Sequence, residues 1–302
     1  MAGAFTVVNL SQLPAPDAVE PLDFETIFNA MLADLQARMQ AAGQPFTALL
    51  ESDPAYKILE VCAYRELLVR QRANEAVRAI MLAFAKGSDL DQIGANYNVA
   101  RLLITPADDT TIPPTPAVYE SDDDYRARIP VSLEGYTTAG SEGSYVFHGI
   151  SAAGTIKDIS AVSPTPGQVV IYVLSRTGNG AASDDEIAAV TAALNAETVR
   201  PMTDQVSVLS ANVATYTIDA ELVLFDGPDA NVVLQAAKDA AQAYANSVHK
   251  IGYDVALSGV YQALHQPGVD RVNLTNPAAN LPAVVGQAYY CTAINVTVAP
   301  NG

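Results

Sequence analysis

From Pro54 to Lys86 the chain runs without a glycine or a second proline. Those two residue types break helices most strongly, so a run of this length leaves little choice but one long helix. Ser52-Asp53-Pro54 supplies its start: a capping side chain, then a proline where a missing N–H costs nothing. Gly87 supplies the stop, and Ser88 opens a short helix through Ile93. At ~1.5 Å per residue the expected helix is about 50 Å long. Ile58, Leu59, Cys62, Val69, Ala73, Ala76, Val77, Ile80 and Phe84 make its apolar stripe.

The charge of this segment runs against the rest of the chain. The 302 residues carry a formal net charge of −17, with a pI near 4.3. Yet 54–86 holds Lys57, Arg65, Arg70, Arg72, Arg78 and Lys86 against only Glu60, Glu66 and Glu75, six against three, or +3. One reading is a solvated face with local pairs such as Glu66–Arg70. The other is a docking helix that meets an acidic partner or joins a bundle. On the second reading the candidate docking residues are Lys57, Arg65, Arg70, Arg72 and Arg78.

The acidic remainder excludes some partners. It repels phosphate backbones and anionic headgroups, so no nucleic-acid binding is expected. There is no tryptophan, and no apolar run approaches the ~18 residues that span a bilayer, so no membrane insertion is expected. Met1–Leu13 lacks the basic start of a secretory signal, and folding in a cytoplasm is expected. Cys62 and Cys291 then read as reduced thiols. Charged residues are only 16% of the chain, which suits a surface buried against partners.

Along the chain, 1–20 reads as an extended arm, with Phe5, Val7, Val8 and Leu10 free to drape over a neighbour. Residues 21–100 are helical, starting with a helix from Leu22 to about Met39 that Gly43 and Pro45 stop. Residues 101–135 are proline- and aspartate-rich, an irregular linker ending in a short helix. Residues 136–210 and 211–302 each alternate strands with helices. Strands are expected at 156–162, 168–174, 205–209, 214–225, 269–274 and 294–298, and helices at 141–153, 183–198, 231–248 and 257–265. Ala153-Gly154 before Ile156-Lys157-Asp158-Ile159 resembles Pro267-Gly268 before Val269-Asp270-Arg271-Val272, a faint internal repeat. The expected fold class is α+β multidomain: an N-terminal long-helix region, then two small α+β, ferredoxin-like modules.

Motifs for chemistry are missing. His148, His249 and His265 have no ligand-spaced neighbour. Asp122-Asp123-Asp124 fits no calcium loop; with Ser121 it reads as a helix start. Thr138–Gly143 is glycine-rich but lacks the lysine and preceding strand of a phosphate cradle, and reads as a hinge. No catalytic, cofactor-binding or metal residues are assigned, no cofactor is expected, and the chain is read as a non-enzyme. A soluble enzyme with a dispersed site is the weaker alternative.

Several stretches carry a resemblance. They are Asp53-Pro54-Ala55-Tyr56-Lys57-Ile58-Leu59-Glu60, Arg65-Glu66-Leu67 and Asn74-Glu75-Ala76. Ala83-Phe84-Ala85, Gly87-Ser88-Asp89-Leu90-Asp91 and Gly94-Ala95-Asn96-Tyr97-Asn98-Val99 follow. Then come Glu120-Ser121-Asp122, Tyr125-Arg126-Ala127-Arg128-Ile129 and Val199-Arg200-Pro201-Met202-Thr203-Asp204-Gln205-Val206-Ser207-Val208. In order and spacing, over roughly 50–210, they resemble the J-type baseplate assembly family of contractile-tailed phages and phage-like particles. The resemblance implies a structural wedge subunit of the inner baseplate ring, in a virion or tail particle assembled in a bacterial cytoplasm. It implies partners: other wedge proteins, a second copy of the chain, a sheath-initiating subunit and the central spike or hub. The helices at 22–42 and 54–86 would supply a core bundle and the sheath contact. The stretches 101–120 and 137–143 would let the parts reorient. Another tail or hub subunit is the alternative.

Overall fold

A computed structural model describes residues 10, 13–14, 16–44, 50–137, 140–227 and 229–299. Much of the proposed arm (Phe5, Val7 and Val8 included), Pro45, and part of the glycine-rich stretch at 138–143 lie outside them. The chain forms two compact units. One holds 6–100 and 122–127, the other 101–121 and 128–302.

The first unit is helical. Helix α1 spans Phe24–Ala41 and is capped by Asp23, whose carboxylate accepts from the Thr26 N–H at 2.7 Å. Helix α2 spans Pro54–Ala79, with Asp53 as its cap and proline in its first turn, as its sequence predicts. The two pack through Ile27, Phe28 and Ala63, flanked by Phe24, Met31, Leu32, Tyr56, Leu59 and Leu67. Helix α3 spans Gly87–Asn96.

Helix α2 is shorter than the expected 54–86 run. It stops at Ala79, and 80–86 turns instead. The amides of Phe84 and Ala85 both bond to the Met81 carbonyl. The carbonyls of Leu82 and Ala85 accept from the Arg126 guanidinium at 2.9 and 2.7 Å. A partner from a distant part of the chain thus takes the backbone acceptors of the turn that ends α2.

The second unit opens with a two-stranded hairpin, β1 (Leu103–Thr105) and β2 (Val118–Tyr119), inside the stretch read as irregular. Helix α4, Asp122–Val131, follows. Its second half belongs to this unit. The first module contains α5 (Glu142–Ile150), β3 (Ile156–Val162), β4 (Gln168–Ser175), α6 (Asp184–Leu194) and β5 (Gln205–Ser210). Strand β4 is central, antiparallel to β3 and parallel to β5. The β4–α6–β5 crossover is what a parallel pair requires. Helix α6 starts on the expected capping box: Ser183 and Glu186 exchange bonds with each other's backbone N–H at 2.9 and 3.3 Å.

The second module contains β6 (Asn212–Leu224), α7 (Ala230–Val248), α8 (Leu257–Leu264), β7 (Val269–Asn276) and β8 (Gln287–Val298). Strand β6 is central, antiparallel to β7 and parallel to β8. The chain is therefore mixed α and β, with a helical region followed by two small sheet-bearing modules.

Each module has its own core. Ile156, Ile171, Val173, Val190 and Leu194 fill the first. Ile218, Leu222, Val260, Leu264 and Val296 fill the second, where Ala237 and Ala241 let α7 lie close to the sheet. A buried side chain of this size contributes about 1.5–3 kcal/mol. Leu174, Ala211, Ile251 and Ala288 form a smaller cluster that joins the modules. Asp158 of β3 accepts from the Ile251 N–H at 2.9 Å. A Cβ on Gly286, where φ is +73°, would stand 2.5 Å from the Tyr172 ring, so only glycine fits that approach.

Candidate docking surface

The two faces of α2 differ in what covers them. Tyr56, Leu59, Ala63 and Leu67 face α1, and the Phe28 and Tyr56 rings lie 4.8 Å apart. Asn74 continues this face. Its side chain accepts from the Glu20 N–H at 3.0 Å and donates to the Glu20 carbonyl at 2.8 Å, pinning the segment ahead of α1. The opposite face is open. Ile58, Cys62, Arg65, Val69, Arg72 and Ala76 are all exposed, Val69 by 69%. They alternate by four and three residues, the spacing of a coiled-coil seam, with arginine at two of the seam positions. Val61 and Leu68 flank the stripe, also exposed. A folded domain seldom leaves a continuous row of this kind in water unless something covers it.

The five basic candidates do not share one face. Lys57 pairs with Glu60 at 2.9 Å. Arg70 holds Glu66 at 2.7 Å and Glu20 at 3.1 Å, which raises its already high pKa and makes it a brace of the helical unit itself. Arg72 reaches Glu75 at 3.6 Å while remaining 81% exposed. Arg65 and Arg78 make no ion pair with any described residue. Arg65 and Arg72, two helical turns apart, stand together in the open stripe. Arg65 also borders a groove of about 510 Å³ with Phe24, Glu60, Val61 and Tyr64.

The groups considered for chemistry are occupied in structural ways. Asp122 accepts from the Gly87 N–H at 3.0 Å, and Asp123 pairs with Arg126. Among the described residues no three His, Cys, Asp or Glu side chains are grouped to hold a metal ion. His148 contacts the Gly135 carbonyl at 3.1 Å. His249 is buried, its ring edge-on to Tyr290, and burial with the nearby Lys157 pushes its pKa down to about 4. His265 ends α8. Asp158 is pushed up by burial, against the opposing pull of the amides it accepts from. No described helix is long and apolar enough to cross a membrane.

Sequence reasoning missed the buried pair of Glu120 and Arg128. Their side chains are 1% and 5% exposed, and the Glu120 carboxylate also accepts from the Leu102 N–H at 2.8 Å. The Arg101 guanidinium donates to the Glu120 carbonyl at 2.9 Å. These bonds fasten β1, β2 and the second half of α4 together. The sequence carried no signal for it: Glu120 and Arg128 stand in a stretch that also holds Arg101, Arg126 and Glu134, with nothing to single the pair out.

Comparison with known proteins covers nearly all of the chain. Residues 51–108 match the model of the baseplate J-like N-terminal domain, 137–210 that of the baseplate J-like central domain, and 216–297 that of the baseplate J-like C-terminal domain. Baseplate protein J of Escherichia phage P2 is 52% identical over 293 residues, covering 96% of this chain and 97% of that protein. A chain in the cryo-EM structure of the anti-feeding prophage baseplate is 11% identical with a TM-score of 0.32, covering 88% of this chain and 53% of that one, a likeness too slight to argue from. The first matched segment contains α2 with its open stripe. The chain belongs to the baseplate J-like protein family.

Proposed function

We propose that this chain is a wedge subunit of a contractile tail's baseplate, helping to build its inner ring and passing the baseplate's conformational change to the sheath. Family membership makes it a baseplate protein of a virion or tail particle. Its relative in phage P2 bears a structural name, which supports a non-catalytic role. The partners on this reading are other wedge proteins, a second copy of the chain, the sheath-initiating subunit and the central spike or hub.

The observation that carries the reading is the open stripe of α2. Ile58, Cys62, Val69 and Ala76 offer an apolar seam to a partner helix. Arg65 and Arg72 interrupt that seam and call for carboxylates opposite them, which gives register and partner choice rather than bulk affinity. Lys57 lies to the side as a weaker, rim contact, Arg78 stands one turn beyond Asn74 on the side of the helix away from the stripe, and Arg70 is committed to Glu66 and Glu20.

The test is assembly. Arg65→Glu with Arg72→Glu, made in the particle-producing strain, should cut the yield of complete baseplates about tenfold or more while the isolated chain keeps its thermal stability. Baseplates counted by electron microscopy give the readout. Normal numbers of sheathed particles from the double variant would reject α2 as the docking helix.

A further inference from the structure

The β1–β2 hairpin ends in an exposed loop that is held rigid by its own bonds. Asp108 and Thr115 bond to each other through both backbone pairs at 2.9 Å. The Asp108 carboxylate accepts from the Thr110 N–H at 2.8 Å and from its hydroxyl. Thr111 Oγ1 donates within the loop and lies 3.0 Å from Thr115 Oγ1. Pro113 and Pro114 stiffen the remainder. At the apex sits Ile112, 99% exposed. An ordered loop that spends its hydrogen bonds on presenting one bare isoleucine to water has the form of a preorganised knob. Beside it, Asp109 has no side-chain partner among the described residues, and from 102 to 125 the chain carries no lysine or arginine.

The groove at the α1–α2 junction has the complementary character. Phe24, Val61 and Tyr64 give it apolar walls, and Arg65 stands at its rim with no ion pair among the described residues. The Glu60 carboxylate, also at the rim, is already neutralised by Lys57 at 2.9 Å. Of the two charges in the groove lining, Arg65 is thus the one left without an ion pair among the described residues.

We infer that the hairpin tip of one copy seats Ile112 in the Phe24–Val61–Tyr64 groove of a second copy, with Asp109 facing Arg65. Knob and groove are different surfaces, so the contact is head-to-tail: each copy keeps a free knob and a free groove after pairing. A steric and an electrostatic match act together, because the tip pairs a bare isoleucine with the Asp109 carboxylate and the groove pairs apolar walls with the Arg65 guanidinium. This inference rests on α2 being a docking element; it uses the flank of that helix toward α1, shares Arg65 with the seam, and leaves Ile58, Cys62, Val69, Arg72 and Ala76 for another partner.

Sedimentation velocity on the full chain over a range of concentrations tests it. Wild type should associate with concentration. Ile112→Asp, at a fully exposed site, and Val61→Asp with Tyr64→Asp, on an exposed helix flank, should each weaken association about tenfold or more. Asp109→Lys should weaken it less and abolish part of its salt dependence. Mixing the tip variant with the groove variant should restore a one-to-one pair and nothing larger, since only one intact knob and one intact groove remain. A wild-type chain that stays monomeric at high micromolar concentration, an Ile112→Asp chain that associates like wild type, or a mixture that gives no pair would each overturn the inference. Val69→Asp separates it from the seam: loss of association there, with Ile112→Asp unaffected, would leave α2 as a docking helix and remove the knob.

Discussion

Glu120 and Arg128 show what a single residue contributes here. Both charges are almost entirely out of water, and each is affordable only because the other is present. Glu120→Ala should therefore cost about 3–5 kcal/mol in urea unfolding, because it strands a buried guanidinium. Glu120→Leu combined with Arg128→Met should cost clearly less than either single change, since no charge is left uncompensated. His249 makes a different residue-scale prediction. Its folded pKa is depressed to about 4 from 6.5, so the unfolded chain binds the proton more readily between those values. Its contribution to stability is fully present above pH 6.5 and is lost as pH falls toward 4. Asp158 acts with the opposite sign, its proton being held more tightly in the folded state. Comparing wild type with His249→Phe isolates the histidine: the variant's melting temperature should fall less steeply between pH 6.5 and 4. A parallel fall in both proteins would remove His249 from the acid response.

Elements were readable from sequence where local rules govern them. The capping box of α6, the proline start of α2 and the alternation of β4 appear where Ser183–Glu186, Asp53–Pro54 and Val169, Ile171 and Val173 put them. The end of α2 was not readable, because Gly87 is the first local stop, whereas the helix ends at Ala79 and the turn that follows gives its Leu82 and Ala85 carbonyls to the Arg126 guanidinium, far along the chain. Arg126→Ala should leave these acceptors without their charged donor and cost about 1–3 kcal/mol. A circular dichroism signal that rises in the variant would show α2 extending into 80–86; an unchanged stability and spectrum would assign the turn to the local sequence instead. The hairpin of β1 and β2 escaped the sequence for a similar reason. Its strands are too short to show alternation, and Leu102, Glu120 and Arg128 fasten it from outside. Strand β8 starts at Gln287, well ahead of the expected Ile294, because Tyr289 and Tyr290 follow one another where alternation would place a polar residue.

At the scale of the molecule, the sequence shows a basic helix in an acidic chain, and the structure separates that helix into a covered face and an open one. Composition alone cannot do this. The apolar residues of α2 suffice for two stripes, and only the position of α1 decides which becomes core. The faint repeat between 153–159 and 267–272 is likewise half realised. Both modules place a central strand between an antiparallel and a parallel neighbour, but the first reaches its centre by a hairpin and the second starts from it. That second arrangement has a consequence for manufacture. Strand β6 leaves the ribosome with neither neighbour yet made, and its parallel partner β8 begins only at Gln287. Until then Ile218 and Leu222 lack the Val296 side of their core. A chain that stops short of β8 leaves β6 paired with β7 alone and one of its edges open, the kind of exposed edge that proteases and chaperones act on. Closure of the second sheet therefore depends on β8, its partner farthest along the chain.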